Sequence, residues 1–384
     1  MSVARSRTVL VITLLAVTSL VAACTGAAEE PATDAEAEPA AAEEEAPESD
    51  DAAAEDAVTD LNILLSSSVL SATYYPWYIA VEQGYVEEEG LTVEFSTGPG
   101  SGNAVQQLLA GNADIAIATP APVISGAAQD FDMRYLMEHW YAAQFNILVP
   151  DDSPIQEFAE LEGQNIGIPD LSGSEVTVTQ AAIAAEGWTE GIDLRLTVVG
   201  EGPTMLRALQ GGDVVAIASN LPNELQLEEG LGFELRRITP PAVQFHGDAL
   251  VVRGETYDDP SYRDALVGIV RATIKGRLWA EAHPDDAYEV VKAEYAQEQL
   301  GDPGDDSYGR PYFDQLLELT SPPDSVDGYG YFEPGATQEV ADFLFELGEI
   351  EAEVDTGELI VDDIVTEAWE EIDPEAVQAD PRRF

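Results

Sequence analysis

Small polar residues and glycines follow predicted strands in this chain, and they are the residues best placed to bind a small molecule. Residues 98–103 (GPGSGN) precede a predicted helix, with Ser101 or Asn103 as its N-cap, and residues 171–174 (LSGS) lie between a later strand and helix. Free backbone N–H groups in such loops can hold an anion or a carbonyl oxygen. Neither loop carries the lysine of a phosphate-binding P-loop, so we do not expect nucleotide binding.

Two polar pairs, Thr119-Pro120 and Ser219-Asn220, each follow a short apolar run. Each pair offers a side-chain oxygen or amide to a ligand, although residues of these types also bond their own backbone in turns. The full set of predicted ligand contacts is Trp77, Ser101, Gly102, Asn103, Thr119, Pro120, Trp140, Ser172, Gly173, Ser174, Asn220 and His246.

Aromatic and histidine side chains complete the predicted site. Trp77 follows the first predicted strand within the run TYYPWY, where we expect it to form a wall of the ligand site. The alternative for this run is that its aromatics cover the base of the helix. His139, His246 and His283 are far apart in the sequence without metal-ligand spacing, so we expect no metal site. His246 lies at the predicted hinge.

The elements that position these residues belong to a sequence repeat, whose two copies are residues 98–122 and 200–222. Aligned without a gap, the two segments share a Leu, a Gly, an Ala-Ile-Ala run and a Pro. Extended upstream, each copy becomes a βαβαβ pattern, which predicts a mostly parallel sheet flanked by helices. Ligands of such sheets lie outside the carboxyl ends of the strands. The predicted strands are 61–68, 91–96, 115–118, 164–169, 194–199 and 214–218, with helices at 77–83 and 176–186.

Proline-rich breaks indicate where the chain passes between the two predicted lobes. Residues 150–154 (PDDSP) predict the first crossing, and residues 238–246, which contain Pro-Pro, predict the return. Two crossings imply a hinge about which the lobes close on a ligand. Beyond residue 250 the pattern is helical, and we expect these helices to wrap the first lobe without taking part in chemistry. The predicted lobes are 61–149 and 150–243, with 244–384 returning to the first lobe.

The amino terminus is predicted to be a processing signal. Arg5 and Arg7 precede an apolar run that ends in Val-Ala-Ala-Cys, which resembles the bacterial lipobox. We predict a signal peptide at 1–23 and lipidation of Cys24, the only cysteine of the chain. Residues 24–60 are acidic, rich in Ala and Pro, and free of basic residues, so they predict a disordered tether.

The chain is strongly acidic, with a formal net charge of −58. From residue 61 onward, 60 acidic residues face 14 basic ones, and Lys275 and Lys292 are the only lysines. Such self-repulsion weakens a compact state in dilute solution and is screened at high salt, which favours a protein of strong brine. Nucleic acid is excluded as a partner because there is no basic face to neutralise phosphates.

Five segments resemble a known family. Residues 75–80 (YPWYIA), 84–91 (GYVEEEGL) and 108–116 (LLAGNADIA), followed by 161–169 (LEGQNIGIP) and 208–214 (ALQGGDV), are similar to ABC-importer solute-binding proteins for thiamine-pyrimidine precursors, aliphatic sulfonates, taurine and nitrate. The resemblance implies an α/β, two-lobed periplasmic-binding-protein fold of type II with a helical C-terminal extension on the first lobe. It also implies delivery of a ligand to a membrane permease without catalysis. We further predict a monomer without a cofactor, which the N-terminal signal places outside the cytoplasm.

The positions of the basic residues in the sequence narrow the class of ligand. None occurs between Arg7 and Arg134, so the first lobe's loops offer an anion no cationic side chain. The aromatic residues instead suit a planar neutral or zwitterionic heterocycle such as a pyrimidine, with a sulfonate, taurine or nitrate as the alternative. Two other functions stay open at this point: an enzyme of pyrimidine synthesis or a cofactor pathway on the same fold, and a lipoprotein sensor domain.

Overall fold

Two five-stranded sheets organise the part of the chain that the structure describes. The computed structural model describes residues 57–141, 145–169, 171, 174–200, 203–220, 224, 227–228, 234–238, 246–301, 306 and 309–384. The predicted signal peptide and Cys24 lie outside these residues. The predicted tether ends too late, because Val58 N already donates to Ser261 O (3.0 Å) and the first strand begins at Asp60.

The first sheet has the strand order β2-β1-β3-β10-β4. β1 is parallel to β2 and β3, whereas β10 is antiparallel to β3 and β4. Its strands are β1 (Asp60–Leu65), β2 (Thr92–Thr97), β3 (Ile115–Ala118), β4 (Met133–Glu138) and β10 (Ala249–Arg253). Its connecting helices are α1 (Tyr75–Glu82), α2 (Tyr85–Glu88), α3 (Gly100–Leu109) and α4 (Pro120–Ala127), with a 3-10 turn at Ala72–Tyr74.

The second sheet repeats this plan with the order β7-β6-β8-β5-β9, in which β5 runs antiparallel to β8 and β9. Its strands are β5 (Phe145–Pro150), β6 (Asn165–Ile168), β7 (Arg195–Val198), β8 (Ala216–Asn220) and β9 (Leu235–Ile238). The helices α5 (Ser174–Ala185) and α6 (Pro203–Gly211) and a 3-10 turn at Phe158–Leu161 belong to this lobe. The predicted duplication is therefore confirmed: β2-β1-β3 and β7-β6-β8 are the same parallel triplet.

Continuous apolar runs form these strands because both faces of each sheet are covered. In β3, Ile115 and Ile117 enter the core shared with α1, whereas Ala116 and Ala118 enter the core shared with α3. The second sheet does the same, since Ala218 and its neighbour Ile217 belong to different cores. Alternate burial of this kind is expected of strands that are flanked by helices on both sides.

One strand lies in a different lobe from the one the sequence predicts. Residues 145–149 are predicted to end the first lobe, with the crossing at 150–154, but β5 pairs with β8 and β9 in the second sheet. An apolar run identifies a strand without identifying its partners, which explains the error. The chain leaves the first sheet after β4 and returns between β9 and β10, and residues 239–245 of the predicted hinge lie outside the described residues.

Helices after β10 cover the first lobe, as predicted. They are α7 (Gly254–Asp258), α8 (Arg263–Ala282), α9 (Pro284–Glu294), α10 (Gln297–Leu300), α11 (Gly309–Leu319), α12 (Ala336–Glu346), α13 (Asp362–Glu370) and α14 (Pro374–Gln378), with a 3-10 turn at Thr356–Glu358. α8 packs so closely along α1 that a Cβ at Gly276 would lie 2.2 Å from Pro76 O. Within the described ranges, no helix combines the length and apolarity that crossing a bilayer requires.

An apolar cluster joins the two lobes. Ile124 on α4 of the first lobe belongs to it together with Val178 on α5 of the second lobe and Leu344 on α12. Phe145, which pairs with Asn220 at the tip of β8, packs against the same cluster. The carboxyl ends of β3 and β8 therefore approach one another across the boundary between the lobes.

Candidate ligand-binding site

The carboxyl edge of the first sheet gathers side chains from five separate parts of the chain. β1, β3 and β4 end at this edge, and the antiparallel β10 begins there, with Ala249 opposite both Ala118 and Glu138. The residues that follow β3 and β4 therefore lie beside the residues that precede β10. Ligands of open α/β sheets bind at such an edge.

Ser101 and Thr119 tie the first glycine-rich loop to this edge. Thr119 N donates to Ser101 Oγ (3.1 Å), and both residues are buried. Thr119 is the N-cap residue of α4, and Pro120 is the first residue of that helix. In the first turn of α3, Gly102 is exposed and Asn103 is half-buried, with Asn103 Oδ1 only 2.5 Å from where a Cβ of Gly98 would be.

His139 is a fixed, neutral imidazole beneath the edge. Nε2 lies 2.8 Å from Thr73 O, which can only accept, so Nε2 carries the proton. Nδ1 then accepts from the Tyr329 hydroxyl at 2.5 Å. Complete burial lowers the pKa of His139 to about 3, although the bond to Thr73 opposes this shift. The ring is therefore a positioning group that stays uncharged at physiological pH.

Trp140 packs against the residues that precede β10 and shares hydrogen bonds with them. The backbone N–H groups of His139 and Trp140 both donate to Asp248 O (3.1 and 3.2 Å), and Gly247 N donates to Trp140 O (2.7 Å). A Cβ at Gly247 would lie 2.6 Å from Trp140 Cγ, so the indole packs directly on the backbone. Trp140 is fully buried, and none of the residues that the structure describes accepts a hydrogen bond from its Nε1.

Asp248 places a carboxyl group at the same edge. The residue is only 6% exposed, and burial raises the pKa of its carboxyl group to about 7, with His246 opposing the shift. Asp248 in turn contributes to raising the pKa of the buried Tyr74, whose hydroxyl lies 3.0 Å from Ser66 Oγ. Asp248 was not predicted as a site residue.

Glu138 and His246 form a second buried pair. His246 Nδ1 lies 2.9 Å from Glu138 Oε1, but the two atoms are not aligned for a hydrogen bond. His246 Nε2 lies 3.1 Å from Thr337 Oγ1, and Glu138 Oε2 accepts from Glu333 N (3.2 Å). Residues 329–337 thus reach the site from the C-terminal region, which corrects the expectation that this region only wraps the lobe.

The edge of the second sheet is built from smaller side chains. Ser219 is 1% exposed and donates to Asn220 O (3.3 Å), while Asn220 is half-buried at the tip of β8. Glu175 in the first turn of α5 is also buried, and its backbone oxygen accepts from Thr179 Oγ1 (2.6 Å). The predicted contacts Ser172 and Gly173 and the side chain of Ser174 lie outside the described residues.

The structure places Ser101 against Thr119 and places Trp140 against the residues that precede β10, but it gives Trp77 another place. Trp77 is fully buried in the core, where its ring meets His139 edge-on at 4.6 Å between centroids. On the inward face of α1, it forms a layer behind the edge instead of a wall of the site. Glu138 and Asp248 were missed, although the carboxyl-end rule applied to β4 identifies Glu138.

Two similar α/β lobes, connected twice and meeting at the carboxyl edges of their sheets, define the two-lobed periplasmic-binding-protein fold. The aliphatic-sulfonate-binding protein SsuA from Escherichia coli has this architecture with a TM-score of 0.61 and 18% identity, over 80% of this chain and 99% of that one. At this identity the similarity establishes the fold alone.

The chain belongs to the NMT1/THI5 like family, whose model matches residues 71–287, more than half of the 384 residues. It is 25% identical to the riboflavin-binding protein RibY of Chloroflexus aurantiacus over 312 residues, which are 79% of this chain and 85% of that protein. It is also 22% identical to the formylaminopyrimidine-binding protein of Halalkalibacterium halodurans over 218 residues, or 56% of this chain and 64% of that protein.

Proposed function

We propose that this protein is the solute-binding component of an ABC import system, which captures a small organic nutrient between its lobes and passes it unaltered to a membrane permease. The observation that carries this proposal is the approach of the β3 and β8 ends across the lobe boundary, through Phe145 and Ile124 in one apolar cluster. The names of the relatives, which bind riboflavin or formylaminopyrimidine, support it.

The ligand that the site suits best is a planar nitrogen heterocycle of the pyrimidine kind. Among the described residues, the acids Glu138 and Asp248 lie at the edge of the first sheet beside His246, and the buried cation Arg277 lies in the layer behind them, over the Tyr329 ring. Acidic groups repel a sulfonate or nitrate and attract N–H donors. The proposed contacts of the first lobe are Ser101, Gly102, Asn103, Thr119, Pro120, Trp140 and His246, and those of the second are Ser172, Gly173, Ser174 and Asn220.

The same proposal places the protein outside the cytoplasm as a monomer that is anchored to the membrane by a lipid on Cys24. Residues 24–56 would then span the distance between the lipid and the first strand. The net charge of −58 fits a saline exterior, where screening relieves self-repulsion. An unfolding midpoint that did not rise between dilute buffer and ~1 M KCl would contradict the saline setting without affecting the transport role.

The test of the function is the identity of the bound solute. The full chain is purified from its native host, released solutes are identified by mass spectrometry, and a thermal-shift panel of pyrimidines, riboflavin, sulfonates, taurine and nitrate is measured at high salt. We expect a pyrimidine to be released unchanged and to raise the melting temperature, because a ligand that binds only the folded state stabilises it. Chemical conversion of the solute, or no binding by any compound, would contradict the proposal.

A further inference from the structure

Asp248 is a buried acid whose carboxylate accepts no hydrogen bond from the residues that the structure describes, although His246 acts on it electrostatically. It is 6% exposed, and none of the described residues donates a hydrogen bond or an ion pair to its carboxylate. Glu138 Oε1 is fully enclosed, whereas the carboxylate oxygens of Asp248 are not sealed in the same way. Burying a carboxylate without hydrogen bonds is costly, so a group of this kind marks a place where a ligand can supply the missing partner.

The backbone around Asp248 is held rigidly. Asp248 O accepts from the N–H groups of His139 and Trp140 (3.1 and 3.2 Å), and Gly247 is packed against the indole ring. Behind this layer, Thr73 O and Tyr329 fix the ring of His139. The carboxyl group is thus presented from a fixed frame, as recognition of a ligand requires.

The chemistry of a carboxyl group narrows the ligand. In its ionised form it accepts two parallel N–H donors, and in its protonated form it donates to one atom and accepts from the next. A ring nitrogen beside an exocyclic amino group matches either form, depending on which partner carries the proton. An oxyanion matches neither form as well, because it brings no donor.

We propose that Asp248 determines ligand specificity by pairing with a ring nitrogen and the adjacent exocyclic amino group of an aminated heterocycle, an inference that rests on the proposed binding function. The proposal excludes an anion as the preferred ligand. It also means that the first lobe, through Asp248, recognises the ring nitrogen and the amino group of the ligand.

The test compares two probes that differ in one group. 4-Amino-2-methylpyrimidine carries the paired edge, and 2,4-dimethylpyrimidine replaces its amino group by a methyl group of similar size. Calorimetry at high salt should show that the wild type prefers the amino compound by about 30-fold or more, the size expected for a central contact. Asp248→Leu, which keeps the branched skeleton of the side chain and replaces its two oxygens by methyl groups, should abolish this preference.

Two further variants separate recognition from folding. Asp248→Asn retains one acceptor and one donor, so it should restore most of the preference that Asp248→Leu loses. Asp258→Asn, at an exposed acid on α7, should leave both affinities unchanged. Thermal unfolding of each variant verifies that it is folded.

The outcomes distinguish the two proposals. A wild type that binds methanesulfonate or nitrate but neither pyrimidine overturns the inference and leaves the binding function intact. Equal affinity for the two pyrimidines, or an unchanged preference in folded Asp248→Leu, also overturns it. A solute-free protein that binds no compound of the whole panel overturns the binding function itself.

Discussion

The two sheets share one topology, yet their carboxyl edges are built in different ways. At the first edge, a buried network links Glu138, His139, His246 and Asp248 to residues 329–337, far away in the sequence. At the second edge, the hydrogen bond from Ser219 is local, to Asn220 O. Within the described residues, contacts from residues 329–337 thus support the first edge.

This difference indicates that the two lobes contribute differently to the proposed binding. Groups that must recognise a ligand need to be fixed before it arrives, because ordering them on binding costs free energy. In the proposed function, the first edge meets this need through its C-terminal supports. Matched substitutions in the two lobes measure how far their stability and ligand binding differ.

The largest effect is expected from a glycine in the support of the first lobe. Gly276→Ala replaces glycine within a helix, which alone would gain ~1 kcal/mol. Here the new Cβ would lie 2.2 Å from Pro76 O and 2.9 Å from Ala80 N, and backbone atoms cannot yield as side chains do. We expect a net loss of ~3 kcal/mol in the free energy of unfolding, measured by denaturant titration at high salt.

Gly167→Ala is the matched change in the second lobe. Its Cβ would lie 3.0 Å from Val199 Cγ2 and 3.3 Å from Val214 Cγ2, so side chains can move aside. A loss of ~1 kcal/mol is expected. If the two variants lost equal stability, the packing of α8 on α1 would not be the tighter contact.

The next effect concerns the network itself. His139→Leu removes the acceptor for the Tyr329 hydroxyl and the donor to Thr73 O, and both partners stay buried. We expect a loss of ~2 kcal/mol in the free energy of unfolding, together with weaker ligand binding, since the frame of Asp248 loosens. Ser219→Ala is the control, with a loss of under ~1 kcal/mol, because within the described residues its hydroxyl donates to the adjacent Asn220 O. A stable His139→Leu protein with unchanged affinity would show that the network is not needed.

The contrast also explains what the sequence could and could not predict. The parallel triplets were predictable because buried strands are continuous apolar runs, and residues 115–118 match β3 in full. The sheet that β5 joins was not predictable, since pairing partners depend on the whole fold. Asp248 was missed because β10 is antiparallel, which brings the residue before the strand, and not the one after it, to the carboxyl edge.

The last expected effect, of ~1 kcal/mol per pH unit, is a dependence on pH that differs between acids of the two lobes. Burial raises the pKa of Asp248 to about 7, above the ordinary value of 3.8, so the folded state binds a proton that the unfolded state releases. Its ionisation therefore costs stability that is intact below pH 4 and is lost as the pH rises to 7. Asp248→Asn removes this cost, so without ligand its stability relative to the wild type should rise by ~1 kcal/mol per pH unit in this window.

Glu224 in the second lobe gives the matched measurement. Burial raises the pKa of its carboxyl group too, but Arg237, whose Nε lies 2.5 Å from Glu224 Oε1, opposes the shift. Glu224→Gln should therefore gain less stability with rising pH than Asp248→Asn, because Arg237 opposes the rise in the Glu224 pKa and so limits the extra proton binding of the folded state. Denaturant titrations of both variants and the wild type at pH 4 to 7 measure these slopes. A slope for Asp248→Asn that was flat, or smaller than that of Glu224→Gln, would contradict this prediction. It would show that ionising the buried Asp248 carboxyl group costs the folded state no more stability than ionising Glu224 does.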